Sequence, residues 1–143
     1  MSDIKIAQTI FQLIPSIDAK FMRPMEQHYA GDITPVQIGV LLNIRERVVL
    51  TMTALAKEML ISKQQLTPVV KDLVSRGLVK KEQDCKDRRL SLLSLTPLGL
   101  AWHEDFTKLT LEILNDTLDT LDEPDLACLN NAFMEIHRII QKL

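Results

Sequence analysis

A chain of 143 residues with a net charge of −2 is one ordinary domain, large enough to bury a core without a disulfide or metal staple. Its two cysteines, Cys85 and Cys128, stand 43 residues apart, and no CxxC, HxxxH or HExxH spacing occurs, which argues against a structural metal site. No apolar run reaches the roughly 18–20 residues that span a bilayer, and Asp3 and Lys5 break up any cleavable leader, so a soluble cytoplasmic protein with reduced thiols is expected.

The charge is unevenly spread. Residues 57–89 hold nine Lys/Arg against five Asp/Glu, whereas residues 90–143 hold three against nine. A local basic patch matters more for phosphate contact than the overall balance.

In residues 4–30 the apolar positions Ile4, Ala7, Ile10, Phe11, Ile14, Ile17, Phe21, Met22 and Met25 recur at helical steps. Pro15 and Pro24 predict a kink or a break, because each removes a backbone donor. Gly31-Asp32 closes the segment. Thr34-Pro35 then reads as an N-cap with proline at the first helical position, opening a helix to about Arg45. Thr51 or Thr53 caps a short helix, Ala54–Leu60. Ser62 caps the next, which reaches about Arg76 before Gly77. Strands follow over 78–83 and 90–95, joined by the polar turn Asp84–Arg89. Thr96-Pro97 opens a long helix to about Leu121. Asp122-Glu123-Pro124-Asp125 starts the last one with a cap, acidic residues and a proline. In it Leu126, Leu129, Phe133, Ile136, Ile140 and Leu143 step by three and four, a heptad seam. Such a seam packs either on the chain's own helices or on a second subunit.

A short helix, a tight turn, a second helix and two strands with a basic tip make a winged helix-turn-helix. On a wheel of roughly 100° per residue, Leu66, Val69, Val70 and Leu73 share the core side of the second helix. Gln64, Thr67, Pro68, Lys71 and Ser75 face the other way. Glutamine can bond adenine in a bidentate way, threonine a base or phosphate, and lysine a guanine or phosphate, while a proline ring suits a thymine methyl. A merely solvated helix face has similar chemistry, so this helix alone does not settle the matter. The double arginine Arg88-Arg89 at the hairpin tip suits the negative potential of a narrow minor groove. Asp87 there is expected to brace Arg89 by a charge-assisted hydrogen bond.

The string Asp87-x-Arg89-x-x-x-Leu93-x-Leu95-Thr96-x-x-Gly99 resembles the wing signature of the MarR (multiple-antibiotic-resistance regulator) family at every fixed position. Thr34-Pro35-x-Gln37 is similar to the start of that family's second helix. Leu55-Ala56-Lys57 and Leu73-x-x-x-Gly77-Leu78-Val79 are similar to its helix-turn-helix. The resemblance covers residues 4–143. It implies a mainly α (α+β) fold, with a winged helix-turn-helix lobe over 34–96 flanked by dimerisation helices over 4–30 and 97–143. It also implies a homodimeric regulator of transcription, usually a repressor, which releases a pseudo-palindromic DNA operator when a small molecule or oxidant acts. By position, Arg89 is the minor-groove arginine and Asp87 its brace. Lys63, Gln64, Thr67, Pro68 and Lys71 are the expected recognition-helix contacts, and Lys86 and Arg88 phosphate partners. Ile10, Ile14, Leu126, Leu129, Phe133, Ile136, Ile140 and Leu143 form the expected dimer interface. Three departures stand out. Pro68 falls in the middle of the recognition helix, Leu60 takes a turn position that favours glycine, and the N-terminal helix lacks the cysteine of the peroxide-sensing members.

Met22, Met25, His28, Tyr29 and Trp102 are candidates for an effector pocket, although methionine and aromatics at helical spacing also serve as plain core. Cys85, among wing cations that would stabilise a thiolate, is a redox candidate. Cys128 beside the seam reads as a small packing residue. With no GxSxG, no Gly-rich phosphate loop and no ligand cluster, neither an enzyme nor a cofactor is expected. The rival is a winged helix that binds only other proteins, since the fold does not guarantee DNA binding. The basic 57–89 region discriminates against it.

Overall fold

The computed structural model describes residues 3–29 and 32–143, so Gly31, expected to close the first helical region, lies outside the described residues. The elements in order are α1 (Asp3–Ile17), a π-helical turn (Asp18–Met22), α2 (Arg23–Tyr29), α3 (Pro35–Arg47), β1 (Leu50–Thr51), α4 (Met52–Glu58), α5 (Lys63–Ser75), β2 (Val79–Gln83), β3 (Ser91–Leu95), α6 (Pro97–Leu118) and α7 (Glu123–Ile140). Helix dominates, and no described helix is long and apolar enough to cross a membrane.

The chain divides into two compact units. One runs Met25–Leu109. The other takes in the N-terminal helix up to Pro24 and the chain from Thr110 on.

In the first unit the strands form an antiparallel sheet in the order β1-β3-β2. Leu50 pairs with Leu93 on one side of β3, and Lys81 pairs with Leu93 on the other. β1 is absent from the sequence reading, because two residues cannot display an alternating pattern. It also explains α4. Thr51 ends the strand and caps the helix with its side chain, accepting from Ala54 N–H at 3.1 Å, so α4 starts at Met52 rather than Ala54. The core is a layer of Val40, Leu41 and Ile44 from α3, Leu55 from α4 and Leu66, Val70 and Leu73 from α5, closed by Leu93 of the sheet. Each of these side chains is fully or almost fully removed from water, and each such leucine or isoleucine contributes roughly 1.5–3 kcal/mol.

Helix starts follow the expected chemistry. Thr34 and Gln37 make a reciprocal capping box at α3, as Ser62 and Gln65 do at α5. Thr96 does more. Its hydroxyl accepts from Gly99 N–H at 3.0 Å and donates to the Gly77 carbonyl, while its own N–H donates to Leu78 O at 3.2 Å. Gly99 is needed at this junction, because a Cβ there would lie 2.1 Å from Leu78 O. The Thr96-x-x-Gly99 pattern is therefore a packing requirement between the start of α6 and the start of the sheet. The chain leaves α3 through a γ-turn at Val48 (φ 67°), in which Val49 N–H donates to Arg47 O at 2.8 Å.

In the second unit α1 continues through Pro15 without ending. The expected break falls instead at the π-helical turn directly before Pro24, where Arg23 N–H reaches back to Asp18 O. Phe21 of that turn meets Phe133 of α7 edge to face, with ring centroids 6.2 Å apart. Of the seam residues, Leu126 and Leu129 are half-buried, whereas Phe133, Ile136, Ile140 and Leu143 are exposed. Ile4, Ile6, Ile10, Phe11 and Ile14 of α1 are exposed too. The chain's own helices therefore leave most of both apolar faces open. Cys128, expected as a packing residue, is also exposed.

Candidate nucleic-acid interface

The second helix of the helix-turn-helix, α5, is amphipathic as its wheel predicts. Leu66, Val70 and Leu73 are buried and Val69 half-buried, while Lys63, Gln64, Thr67, Pro68, Lys71 and Ser75 are all exposed. Pro68 removes one backbone donor, yet the helix runs unbroken from Lys63 to Ser75. Thr67 is less free than expected. Its hydroxyl donates to Lys63 O at 2.7 Å, leaving its lone pairs as acceptors toward a partner.

α5 is fixed from behind by a residue whose part the sequence did not reveal. Gln37, on α3, is buried, and its Nε2 donates to Asp72 Oδ2 at 2.6 Å. Its Oε1 accepts from Thr34 N–H at 2.9 Å, so one side chain caps its own helix and ties down the next. The capping signal Thr-x-x-Gln is legible locally, but the bond to Asp72, 35 residues on, has no local signal.

The loop from β2 to β3 is built from two aspartates. Asp84 Oδ1 accepts from Lys86 N–H at 2.7 Å, and Asp87 Oδ1 accepts from Arg89 N–H at 3.0 Å. These side chains stand in for backbone partners and shape a tight tip. Asp87 also takes the guanidinium of Arg89, from Nε to Oδ1 at 3.1 Å and from a terminal nitrogen to Oδ2 at 3.4 Å. The Arg89 side-chain and backbone donors hold the Asp87 carboxyl below its ordinary value of 3.8. The Arg89 side chain remains 90% exposed, so its head is oriented without being hidden.

Three other cations of this unit are paired, while among the described residues Arg45, Lys57 and Lys81 enter no ion pair. Arg47 meets Glu58 at 2.8 Å, Lys80 meets Glu82 at 2.9 Å and Arg76 meets Asp72 at 3.8 Å. Among the described residues Lys63, Lys71, Lys86 and Arg88 enter no ion pair. Cys85 is exposed within the same loop and forms no disulfide.

Two of the five pocket candidates, Tyr29 and Trp102, each line a separate concavity. Tyr29 lines a concavity of about 350 Å³ with Glu26, Asp32, Ile33, Thr34, Pro35 and Ile38. Trp102 lines another, of about 300 Å³, with Arg76, Leu78, Leu98, Ala101 and Asp105. Met25 and His28 line neither, and Met22 falls in the other compact unit. Phe106, which the sequence reading passed over, lies between the two aromatics. Its ring is 4.8 Å from Tyr29 and 5.0 Å from Trp102, and its carbonyl accepts from the Tyr29 hydroxyl at 3.2 Å.

A capped helix pair set on a three-stranded sheet, with a hairpin projecting beside the second helix, defines a winged helix-turn-helix protein. A sequence model of the MarR family matches residues 31–90. The HTH-type transcriptional repressor MdtR of Bacillus subtilis is 30% identical over 100 residues, which are 69% of this chain and 61% of that one. The chain thus spans under two thirds of the length of that relative. Wild-type MarR of E. coli in its apo form superposes with a TM-score of 0.79 at 26% identity, covering 87% of this chain and 93% of that one. A mutant of the same protein complexed with operator DNA gives a TM-score of 0.68 at 25% identity, covering 95% and 99%. This chain belongs to the MarR family of transcription regulators.

Proposed function

We propose that this chain is a sequence-specific, double-stranded-DNA-binding regulator that acts as a homodimer in the cytoplasm, represses transcription and is relieved by a small-molecule or redox signal. The carrying observation is the braced pair Asp87–Arg89, which holds an exposed guanidinium at the wing tip, in the same compact unit as the exposed cations Lys63 and Lys71 of α5. In this reading Arg89 enters the minor groove. Gln64, Thr67 and Lys71 read base edges in the major groove, with Pro68 as an apolar contact, and Lys63, Lys86 and Arg88 hold phosphates. The repressor reading is supported by the name of the Bacillus relative, and the DNA partner by the operator complex of the E. coli one. The open apolar faces of α1 and α7, with Ile10, Ile14, Phe133, Ile136 and Ile140, are the surface a second copy would cover. Two recognition helices then meet a pseudo-palindrome with half-sites about 10 bp apart.

The test is binding to promoter fragments across a salt series. Affinity should fall steeply and linearly on a logarithmic salt axis as phosphate counterions are released. Absent binding, or binding indifferent to salt, would instead favour a winged helix that engages only proteins.

A further inference from the structure

α4 and α5 end in the same backbone motif with different residues at its critical position. After α5, Gly77 N–H donates to Val74 O and Leu78 N–H to Leu73 O, both at 3.0 Å, with Gly77 at φ 74°. After α4, Leu60 N–H donates to Lys57 O at 3.2 Å and Ile61 N–H to Ala56 O at 3.1 Å, with Leu60 at φ 55°. This is the Schellman pairing, whose left-handed position glycine fills without penalty and a residue with a Cβ does not. Leu60 is 92% exposed, so packing within the chain does not offset the strain. The apolar contact that the motif usually carries comes from Ile61, which packs against the core. Leu60 thus costs the free chain twice, in backbone strain and in apolar surface left in water.

Its position indicates where the cost is recovered. Leu60 stands two residues before Ser62, whose hydroxyl caps α5, and three before Lys63, the first exposed cation of that helix. The N-terminal end of α5 also carries Gln64 and Thr67, both exposed. A DNA strand alternates anionic phosphates with apolar deoxyribose edges, and an exposed leucine three residues before an exposed lysine offers one group for each. We propose that Leu60 is a DNA-contacting residue, its isobutyl group packing on the deoxyribose edge of the strand that borders the major groove entered by α5. The inference rests on the DNA-binding reading above and adds an apolar contact from the turn.

The proposal predicts opposite signs for folding and binding. The probe is a duplex selected by the wild-type chain from a random-sequence pool. Leu60→Gly and Leu60→Asn, both compatible with a left-handed turn, should unfold at higher denaturant than wild type yet bind the duplex about three- to tenfold more weakly. The salt slope should stay unchanged, since no phosphate contact is lost. Leu60→Met, which keeps both the apolar side chain and the strain, should retain affinity. Unchanged or tighter binding by the glycine and asparagine variants would overturn the proposal while leaving the regulator reading intact. A wild-type chain that selects no duplex would overturn both.

Discussion

The amide of Gln37 reaches across from α3 and donates to the Asp72 carboxylate of α5 at 2.6 Å, a polar link between two helices that share the core. Gln37 is buried while Asp72 is half exposed, so the bond is charge-assisted and partly screened. Gln37→Leu should lower unfolding free energy by about 1–2 kcal/mol, because it removes this bond and the capping bond to Thr34 together. Urea unfolding of both proteins measures it; a loss below about 0.3 kcal/mol would show the bond to be dispensable.

Arg89→Ala removes the exposed head of the braced pair. It should weaken operator binding by about 1–3 kcal/mol and leave stability within about 0.5 kcal/mol, since the side chain touches little besides Asp87. Fluorescence anisotropy and thermal melting separate the two. Unchanged affinity would remove Arg89 from the interface.

The brace also has a pH signature. The carboxyl of Asp87 is depressed below 3.8 by the Arg89 donors, so the ion pair is fully formed above that value and is lost only as pH falls through the lower folded value. Between pH 6 and 8 the pair should therefore contribute no pH dependence to binding. Asp87→Asn, by contrast, should reduce affinity across that whole range by loosening Arg89. A carboxyl carbon resonance of Asp87 that titrates at or above 3.8 would contradict the brace.

Gly99→Ala should destabilise the fold by about 2 kcal/mol or more, because the new methyl would meet the backbone carbonyl of Leu78 rather than a flexible side chain. The thermal midpoint is a sufficient readout. A neutral substitution would mean that the start of α6 can shift away from the sheet.

The open faces of α1 and α7 predict a dimer at micromolar concentration. Ile136→Asp or Ile14→Asp, each placing a charge on an exposed apolar face, should yield monomers by light scattering. A wild-type chain that elutes as a monomer would refute the homodimer.

Most of this architecture is legible along the chain because its signals are local. Thr34, Ser62 and Asp122 sit one residue before their helices and cap them within three residues. Leu66, Val70 and Leu73 recur at a helical step that a wheel resolves. The brace of Asp87 on Arg89 spans two residues and follows from charge and proximity. Leu60 stands out along the chain as a departure from glycine, whereas its left-handed backbone is a property of the folded turn.

What tertiary structure alone decided lies farther apart in the chain. The strand at Leu50–Thr51 exists because β3 offers it partners some forty residues later. Gln37 meets Asp72, and Tyr29 meets Phe106, only because folding brings separate helices together, whereas Trp102 and Phe106 stack as neighbours one turn apart on α6. Tyr29 and Trp102 line different concavities for the same reason: helical spacing groups residues on one face, but concavities form where different elements meet. Caps, turns, amphipathic faces and the braced arginine depend on neighbours a few residues away, so they are readable along the chain. Sheet order, the clamp behind α5 and the cavities depend on contacts whose partners no local pattern names, and those belong to the fold.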